Sequence, residues 1–393
     1  MIDKRMEMQR KPYEKYLRAF DGCYFLLFFF IFLYIRFSSN TFQDLLELLA
    51  HSQYYLYAMS RYVAAHLDPQ GLGDARPTAL QIIKDEEFEG KLTENVAVVT
   101  GVSSGIGVET VRALAAVGAT MYLTARNLEK AEKALSDIFD ASTMTLAQMD
   151  QSSLESVREA AQTVLSNTSK ITLFIANAGV MAIPDLQLTN EGYEMQLATN
   201  NLSHFLLFNL LKPALLAGST PEFSSRVVAV SSAGHHRTAG INSSDNYHFQ
   251  KGDYDPWVAY AQWKLANIYM VNEIERRYGA QGLHANSVNP GIVATGIAGH
   301  LSPEVIAGML QDKRILKVQK GLDQGAATTV YAAISKYLEG RGGMYRSDCA
   351  VAEKGEHDWV EAMSGKSAPH TFKPDDEARL WRDSLEMIGL SDE

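Results

Sequence analysis

Two cysteines in 393 residues, Cys23 and Cys349, leave this chain without the material for a disulfide framework or a cysteine metal site. They lie far apart, and a reducing compartment is their simplest setting. Metal-ligating spacing is absent as well: the ten histidines show no HExxH or comparable pattern, so no metal is expected. The main body has no concentrated basic face, and the formal net charge is −10. Nucleic acid needs such a face and is excluded as a partner. Also missing is an apolar run of ordinary membrane-spanning length. Gly22 to Ile35 is uncharged and almost wholly apolar. It falls short of the roughly 18 to 20 residues a spanning helix wants, unless Arg36 snorkels and Phe37 to Phe42 extend it. No small-residue cleavage site follows directly, which argues against a signal peptide.

What is present begins after about residue 76, where apolar runs and amphipathic stretches start to alternate as a core requires. The expected organisation is therefore a leader over residues 1–75 and one catalytic domain over 76–393. Within the leader, a membrane segment is expected near 22–37, preceded by Lys4, Arg5, Arg10, Lys11, Lys15 and Arg18. If it spans with that flank in the cytosol, the domain lies in the lumen; as a monotopic anchor it leaves the domain cytosolic. Residues 45–67, with Leu45, Leu46, Leu48, Leu49, Tyr55, Leu56, Met59, Tyr62 and Val63, are patterned as an amphipathic helix that lies on a membrane or docks on the domain.

The stretch Asn95-Val-Ala-Val-Val-Thr100 is a short β-branched apolar run, patterned as a buried parallel strand. Gly101-Val-Ser-Ser-Gly105-Ile-Gly107 follows, and then a helical pattern through Val111, Leu114, Ala115 and Val117. A glycine loop between strand and helix lets backbone approach a pyrophosphate, and the helix N-terminus adds amides and the positive end of its dipole. Gly101, Gly105, Ile106 and Gly107 are thus candidate cofactor-binding residues, and Ser103 is placed to add a phosphate hydrogen bond. The second strand, Thr120 to Ala125, ends at Arg126. An NAD enzyme places an acid there, about 20 residues past the loop, to hold the ribose 2′-hydroxyl. Arginine pairs instead with a 2′-phosphate, so NADP is the expected cofactor.

Further along, Tyr260 and Lys264 stand at i and i+4 of a helical pattern, which puts the ammonium near the phenol. A free tyrosine titrates near pH 10, and a nearby cation favours its phenolate, giving a usable acid/base. Upstream, Arg226 to Ser232 is patterned as a buried strand ending in two serines. The carboxyl end of a parallel sheet is where such folds bind ligands.

Thr100-Gly101-x-x-x-Gly105-Ile106-Gly107 together with Tyr260-x-x-x-Lys264 resembles the signature of the short-chain dehydrogenase/reductases. The resemblance runs over about residues 78 to 390, and its nearest branch is the retinol-dehydrogenase-like and WW-domain-oxidoreductase-like one. It implies an α/β fold, a Rossmann-type doubly wound parallel sheet of about seven strands in a single domain behind the N-terminal apolar leader. It implies that Ser232, rather than Ser231, polarises the substrate carbonyl, and that Asn200 supports a water relay to Lys264. Asp150 would contact the adenine, although Gln151 stands where the family has leucine. Asn177, in Ala176-Asn177-Ala-Gly179, would brace a strand end beside the cofactor. Backbone at Val293 and the Thr295 hydroxyl would meet the nicotinamide end, and the segment from Thr295 to about Gly321 would close over substrate. His235 and His236, in the long loop after Ser232, are assigned either to the pocket wall or to exposed loop.

The resemblance further implies an NADP-dependent interconversion of carbonyl and alcohol on a bulky lipophilic molecule, as in fungal secondary metabolism. The rival is a non-catalytic NADP-binding sensor or scaffold; such proteins usually lose the tyrosine or lysine, and both are present. A homodimer through the helix after Asn200 and the Tyr260 helix fits the family. Met59-Ser-Arg-Tyr resembles a normal start in filamentous-fungal members, so residues 1–58 stand equally as an upstream extension of the gene. The expected location is the cytoplasm or a membrane facing the cytosol, the endoplasmic reticulum included.

Overall fold

Seven short runs of β-branched and small apolar residues become parallel strands: β1 (Val96–Thr100), β2 (Thr120–Ala125), β3 (Met144–Gln148), β4 (Leu173–Ala176), β5 (Ser225–Val230), β6 (Leu283–Asn289) and β7 (Met344–Ser347). They are seen in a computed structural model that describes residues 60–392. Their order is β3-β2-β1-β4-β5-β6-β7, with the two-residue β8 (Ala350–Val351) antiparallel on the β7 edge. Asp348 and Cys349 make that last turn with φ of 54° and 56°. Positive φ at both central residues matches the right-handed twist of the flanking strands.

Side chains alternate across the sheet and both faces are covered, as continuous apolar strands require. Val98, Phe174, Val227 and Ala285 belong to one core, together with α4 (Leu154–Leu165), α5 (Ser203–Gly218), α6 (Pro256–Tyr278) and α10 (Pro374–Met387). Ala97, Val99, Ile175 and Val228 belong to the other, with α1 (Ala79–Asp85), α2 (Ile106–Ala116) and α9 (Leu322–Ile334). Between β2 and β3 lies α3 (Leu128–Leu135), capped by the Asn127 side chain. Two shorter helices, α7 (Pro303–Gln311) and α8 (Lys313–Val318), follow β6.

The start of α6 is firmly pinned. Asp255 Oδ1 accepts the amides of Trp257 and Val258 at 2.8 and 2.9 Å, and Pro256 supplies a helical φ at the first turn. This fixes the phase of the helix, so that Trp257, Tyr260 and Lys264 fall along one face.

Residues 60–75, which sequence patterning alone assigns to the leader, belong to the compact unit that begins at Met59. The Tyr62 hydroxyl donates to Asp85 at 3.0 Å, and the Arg76 guanidinium donates to the carbonyls of Gly71, Val318 and Gln319 at 3.0, 2.7 and 2.7 Å. Of the helix expected over 45–67, only residues 60–67 are described, and there it is reduced to Val63–His66. The apolar run near 22–37 lies outside the described residues. Among those described, no helix is long and apolar enough to cross a membrane.

Candidate active site

The strand order reverses between β1 and β4: the chain leaves β1 towards β2 and β3, then returns to the far side of β1. Loops at the carboxyl ends of those strands part there, and ligands of doubly wound sheets bind in the resulting crevice. Here the crevice encloses about 1210 Å³. Ordinary ligand pockets run from about 300 to 1,000 Å³, so there is room for a dinucleotide and a second molecule. Every candidate catalytic or cofactor-binding residue lines it except Asn200.

Its floor is the glycine loop. Gly101 has φ of +74°, and a Cβ there would lie 2.7 Å from Ala178 Cα; a Cβ on Gly107 would lie 2.4 Å from the Gly101 carbonyl oxygen. Gly105, at φ +70°, precedes α2 and gives it no side-chain cap. The first amides of the helix are therefore left for an anion. Asn177 holds this loop against β4: its Nδ2 donates to the carbonyls of Thr100 and Gly101 at 2.8 and 3.2 Å. A backbone cradle with no room for side chains fits a pyrophosphate.

At the adenosine end, Arg126 is exposed and makes no ion pair among the described residues. No acid accompanies it at the end of β2. Asp150 is turned onto its own loop, accepting from the Ser152 amide and hydroxyl at 2.9 and 2.7 Å. Beside it Gln151 lines the crevice, buried, with an Nε2 that has no partner among the described residues. An unpaired buried amide is costly unless a ligand satisfies it, and a purine nitrogen is a suitable acceptor.

The far end is assembled from distant segments. Ser231 points inward, its Oγ donating to the Lys264 carbonyl at 2.7 Å. Ser232 points outward; its Oγ accepts the Gly234 amide at 3.0 Å and faces the crevice that Tyr260 also lines. Lys264 Nζ donates to the Val230 carbonyl at 3.0 Å and lies 5.8 Å from the Tyr260 ring centre. Burial pushes the Tyr260 phenol up to about 12, against the opposing influence of the Ser232 hydroxyl, and pushes the Lys264 ammonium down to about 8. Both shifts come from the loss of water around a charge.

Asn200 sits in a π-helical turn, Ala198–Leu202, that runs into α5. Its side chain is turned onto Val180, Oδ1 accepting the Val180 amide at 2.7 Å and Nδ2 donating to the Val180 carbonyl at 2.9 Å. Any part in a relay therefore falls to its main chain. Asn201 is turned away, towards Asn267 at 3.0 Å. His204 is structural: Thr100 Oγ1 already accepts two amides, so its proton goes to His204 Nε2 at 2.9 Å, and Nδ1–H donates to the Asn200 carbonyl at 3.1 Å. Burial holds this imidazole neutral, with its pKa pushed down to about 4.

Val293 bridges to Lys320, and Thr295 caps the turn Gly296–His300 through a long 3.4 Å contact with the Ile297 amide. The segment beyond them forms α7, whose Val305, Ile306, Met309 and Leu310 line the crevice, and α8, whose Ile315 and Val318 do so too.

Two residues gain roles that sequence patterning misses. His235 is neither in the pocket wall nor exposed: it is fully buried, its Nδ1 on the Ser232 carbonyl at 2.6 Å and its Nε2 accepting the Ala368 amide at 3.1 Å. It clamps the backbone that carries the outward serine. His236 is buried as well, tied to the Lys366 carbonyl at 3.0 Å. Glu194, a buried carboxylate whose pKa burial raises, accepts the Leu197 amide and the Trp263 indole N–H at 2.7 Å each. It ties the turn bearing Asn200 to the helix bearing Tyr260 and Lys264. Isolated histidines and acids carry no periodic signal, so only the distant partners Ala368 and Trp263 reveal these two.

Residues 95–305 match the short chain dehydrogenase family. The short-chain dehydrogenase/reductase prx1 of Penicillium roqueforti is 46% identical over 84% of this chain and 96% of its own length. The oxidoreductase calI of Penicillium decumbens is 42% identical over 86% of this chain and 99% of its own. Among solved structures, an uncharacterized protein from Mycobacterium Paratuberculosis superposes with a TM-score of 0.59 at 28% identity, covering 81% of this chain and 99% of that one. Of other proteins with the fold, at 19% and 18% identity, one was captured with NADP and another with NADH. The fold by itself takes either.

Proposed function

The chain belongs to the short chain dehydrogenase family, and from that premise we propose that it is an NADP-dependent oxidoreductase interconverting a carbonyl and an alcohol on a bulky lipophilic substrate. One observation carries this reading. A single crevice has an unpaired arginine and no acid at its ribose end, and a serine–tyrosine–lysine set at its inner end, under apolar walls. An arginine fork suits a 2′-phosphate and has no use for a 2′-hydroxyl.

When bound, the nicotinamide supplies the hydride. The protein's own residues do the rest. Tyr260 donates its hydroxyl proton to the carbonyl oxygen as charge builds there, and Ser232 holds the same oxygen by a hydrogen bond. With its proton gone, Tyr260 is a phenolate in a dry site, and the neighbouring Lys264 ammonium stabilises it. Gly179 has no side chain to block this approach: a Cβ there would stand 3.2 Å from Lys264 Nζ and 3.0 Å from Asn200 Oδ1. The exposed Val305 and Leu310 on α7, with Trp359 and Val360 opposite, give the substrate body apolar walls. We also place the domain on the cytosolic side, where a reducing cofactor pool favours carbonyl reduction.

The test is NADPH consumption against a panel of lipophilic ketones and aldehydes, run beside Tyr260→Phe. Turnover that disappears in the variant while NADPH binding persists is the expected result. Tight NADPH binding with no turnover across the panel would overturn the enzyme in favour of a sensor.

A further inference from the structure

Past Tyr260 the crevice widens into an apolar mouth, with Trp257, Trp359, Val360, Ile306 and Leu310 on its walls. One cation stands among them. Arg237 ends the 3₁₀ helix Ala233–Arg237, which begins immediately after Ser232. At about 2 Å of rise per residue this places it on the order of 10 Å from the serine. Its guanidinium carbon lies 4.9 Å from the ring centre of Trp257 and 4.8 Å from that of Trp359. Trp257 is on the same face of α6 as Tyr260, one turn earlier.

None of the guanidinium N–H groups makes a hydrogen bond or ion pair among the described residues. The acids next to the two tryptophans are engaged elsewhere: Asp255 caps α6 through the Trp257 and Val258 amides, and Asp358 caps the turn Trp359–Met363 through the Val360 and Glu361 amides. The two carboxylates that line the crevice are also occupied, Asp150 by Ser152 and Asp348 by Lys320 at 2.6 Å. Indole faces attract a cation without using its N–H groups. Arg237 is exposed, held between the two indole faces with none of its donors engaged by the described residues, in a protein whose formal net charge is −10. The cofactor has no need of it, since the 2′-phosphate lies at the opposite end, with Arg126.

We infer that the substrate of this site is a lipophilic oxo or hydroxy acid, whose carboxylate pairs with Arg237 while its reacting carbon lies at Ser232 and Tyr260. The inference rests on the proposed carbonyl chemistry. A carboxylate fits better than a phosphate: one planar fork matches one planar anion, whereas a dianion would be left undercompensated between apolar walls.

The full chain, loaded with NADPH, is titrated calorimetrically with decanoate, methyl decanoate and decyl phosphate, as wild type, Arg237→Met and Arg237→Lys. Wild type is expected to bind decanoate about tenfold tighter than the ester, a preference that salt weakens, that Arg237→Met abolishes and that Arg237→Lys partly keeps. Unchanged NADPH affinity shows that each variant is folded. Equal binding of acid and ester by wild type overturns the inference and leaves the lipophilic reading intact, as does a preference that survives Arg237→Met. Tighter binding of decyl phosphate overturns the carboxylate. If neither decanoate nor ester binds to protein that holds NADPH, the lipophilic reading falls too; if NADPH itself is not held, both fall with the cofactor assignment.

Discussion

The adenosine end of the crevice is open, and residues close in sequence build it; the inner end is dry, and segments from across the chain build it. Arg126 stands in solvent at the tip of β2, and Asp150, past the end of β3, takes its partners from its own loop. Ser232, Tyr260 and Lys264 meet only because β5 and α6 pack together; His235 then ties the Ser232 backbone to Ala368, and Glu194 ties α6, through Trp263, to the turn bearing Asn200. The difference separates two tasks. Selecting a cofactor by charge tolerates an exposed, adjustable side chain. Moving a proton requires groups held in one geometry, in surroundings where loss of water shifts their titration.

If this contrast is right, substitutions at the inner end should strike turnover and those at the outer end should strike cofactor choice. Tyr260→Phe is expected to lower kcat by about a thousandfold with NADPH affinity kept, read by steady-state rates and by cofactor fluorescence. Arg126→Asp should lower kcat/KM for NADPH by about a hundredfold and raise it for NADH, with kcat nearly unchanged. An equal loss for both cofactors would erase the proposed selectivity of that end.

A pH profile sharpens the comparison further. Burial depresses the Lys264 pKa to about 8, so the cation is present below that value and lost above it, while Tyr260, near 12, keeps its proton. For carbonyl reduction, kcat/KM should therefore be level in the neutral range and fall by about tenfold per unit above pH 8. A profile flat to pH 10 would show that the lysine charge is not needed. The smallest effect is expected from His235→Ala, which removes the donor to the Ser232 carbonyl. A fall in kcat of about tenfold with KM and NADPH binding little changed would mark it as a positioning residue. A lowered melting temperature with kcat unchanged would mark it as structural only.

Legibility in the sequence follows the same division. The glycine loop, Arg126 and the Tyr260–Lys264 pair could be found because each chemical reason operates within a few residues: a turn, a strand end, one helix face. Ser232 could be told from Ser231 only by resemblance, since adjacent residues in a strand point oppositely and nothing local says which way is out. The structure turns Ser231 into the Lys264 backbone. His235 and His236 illustrate a failure of the same kind. Polar residues in a long loop look exposed until segment 366–370 arrives to bury them. The position of Arg237 between Trp257 and Trp359 joins residues 122 positions apart along the chain, beyond any periodic pattern.

By itself, then, the sequence determined the parallel α/β sheet, the glycine loop between β1 and α2, the arginine at the end of β2 and the shared helix face of Tyr260 and Lys264, because spacing on one strand, loop or helix settles all four. Tertiary structure alone decided which serine faces the crevice, that residues 60–75 belong to the domain, that burial moves the titration of Tyr260 and Lys264, and that Arg237 stands between two tryptophans. Those properties depend on which distant surfaces exclude water from one another, and the pairing of surfaces is settled only when the whole chain packs.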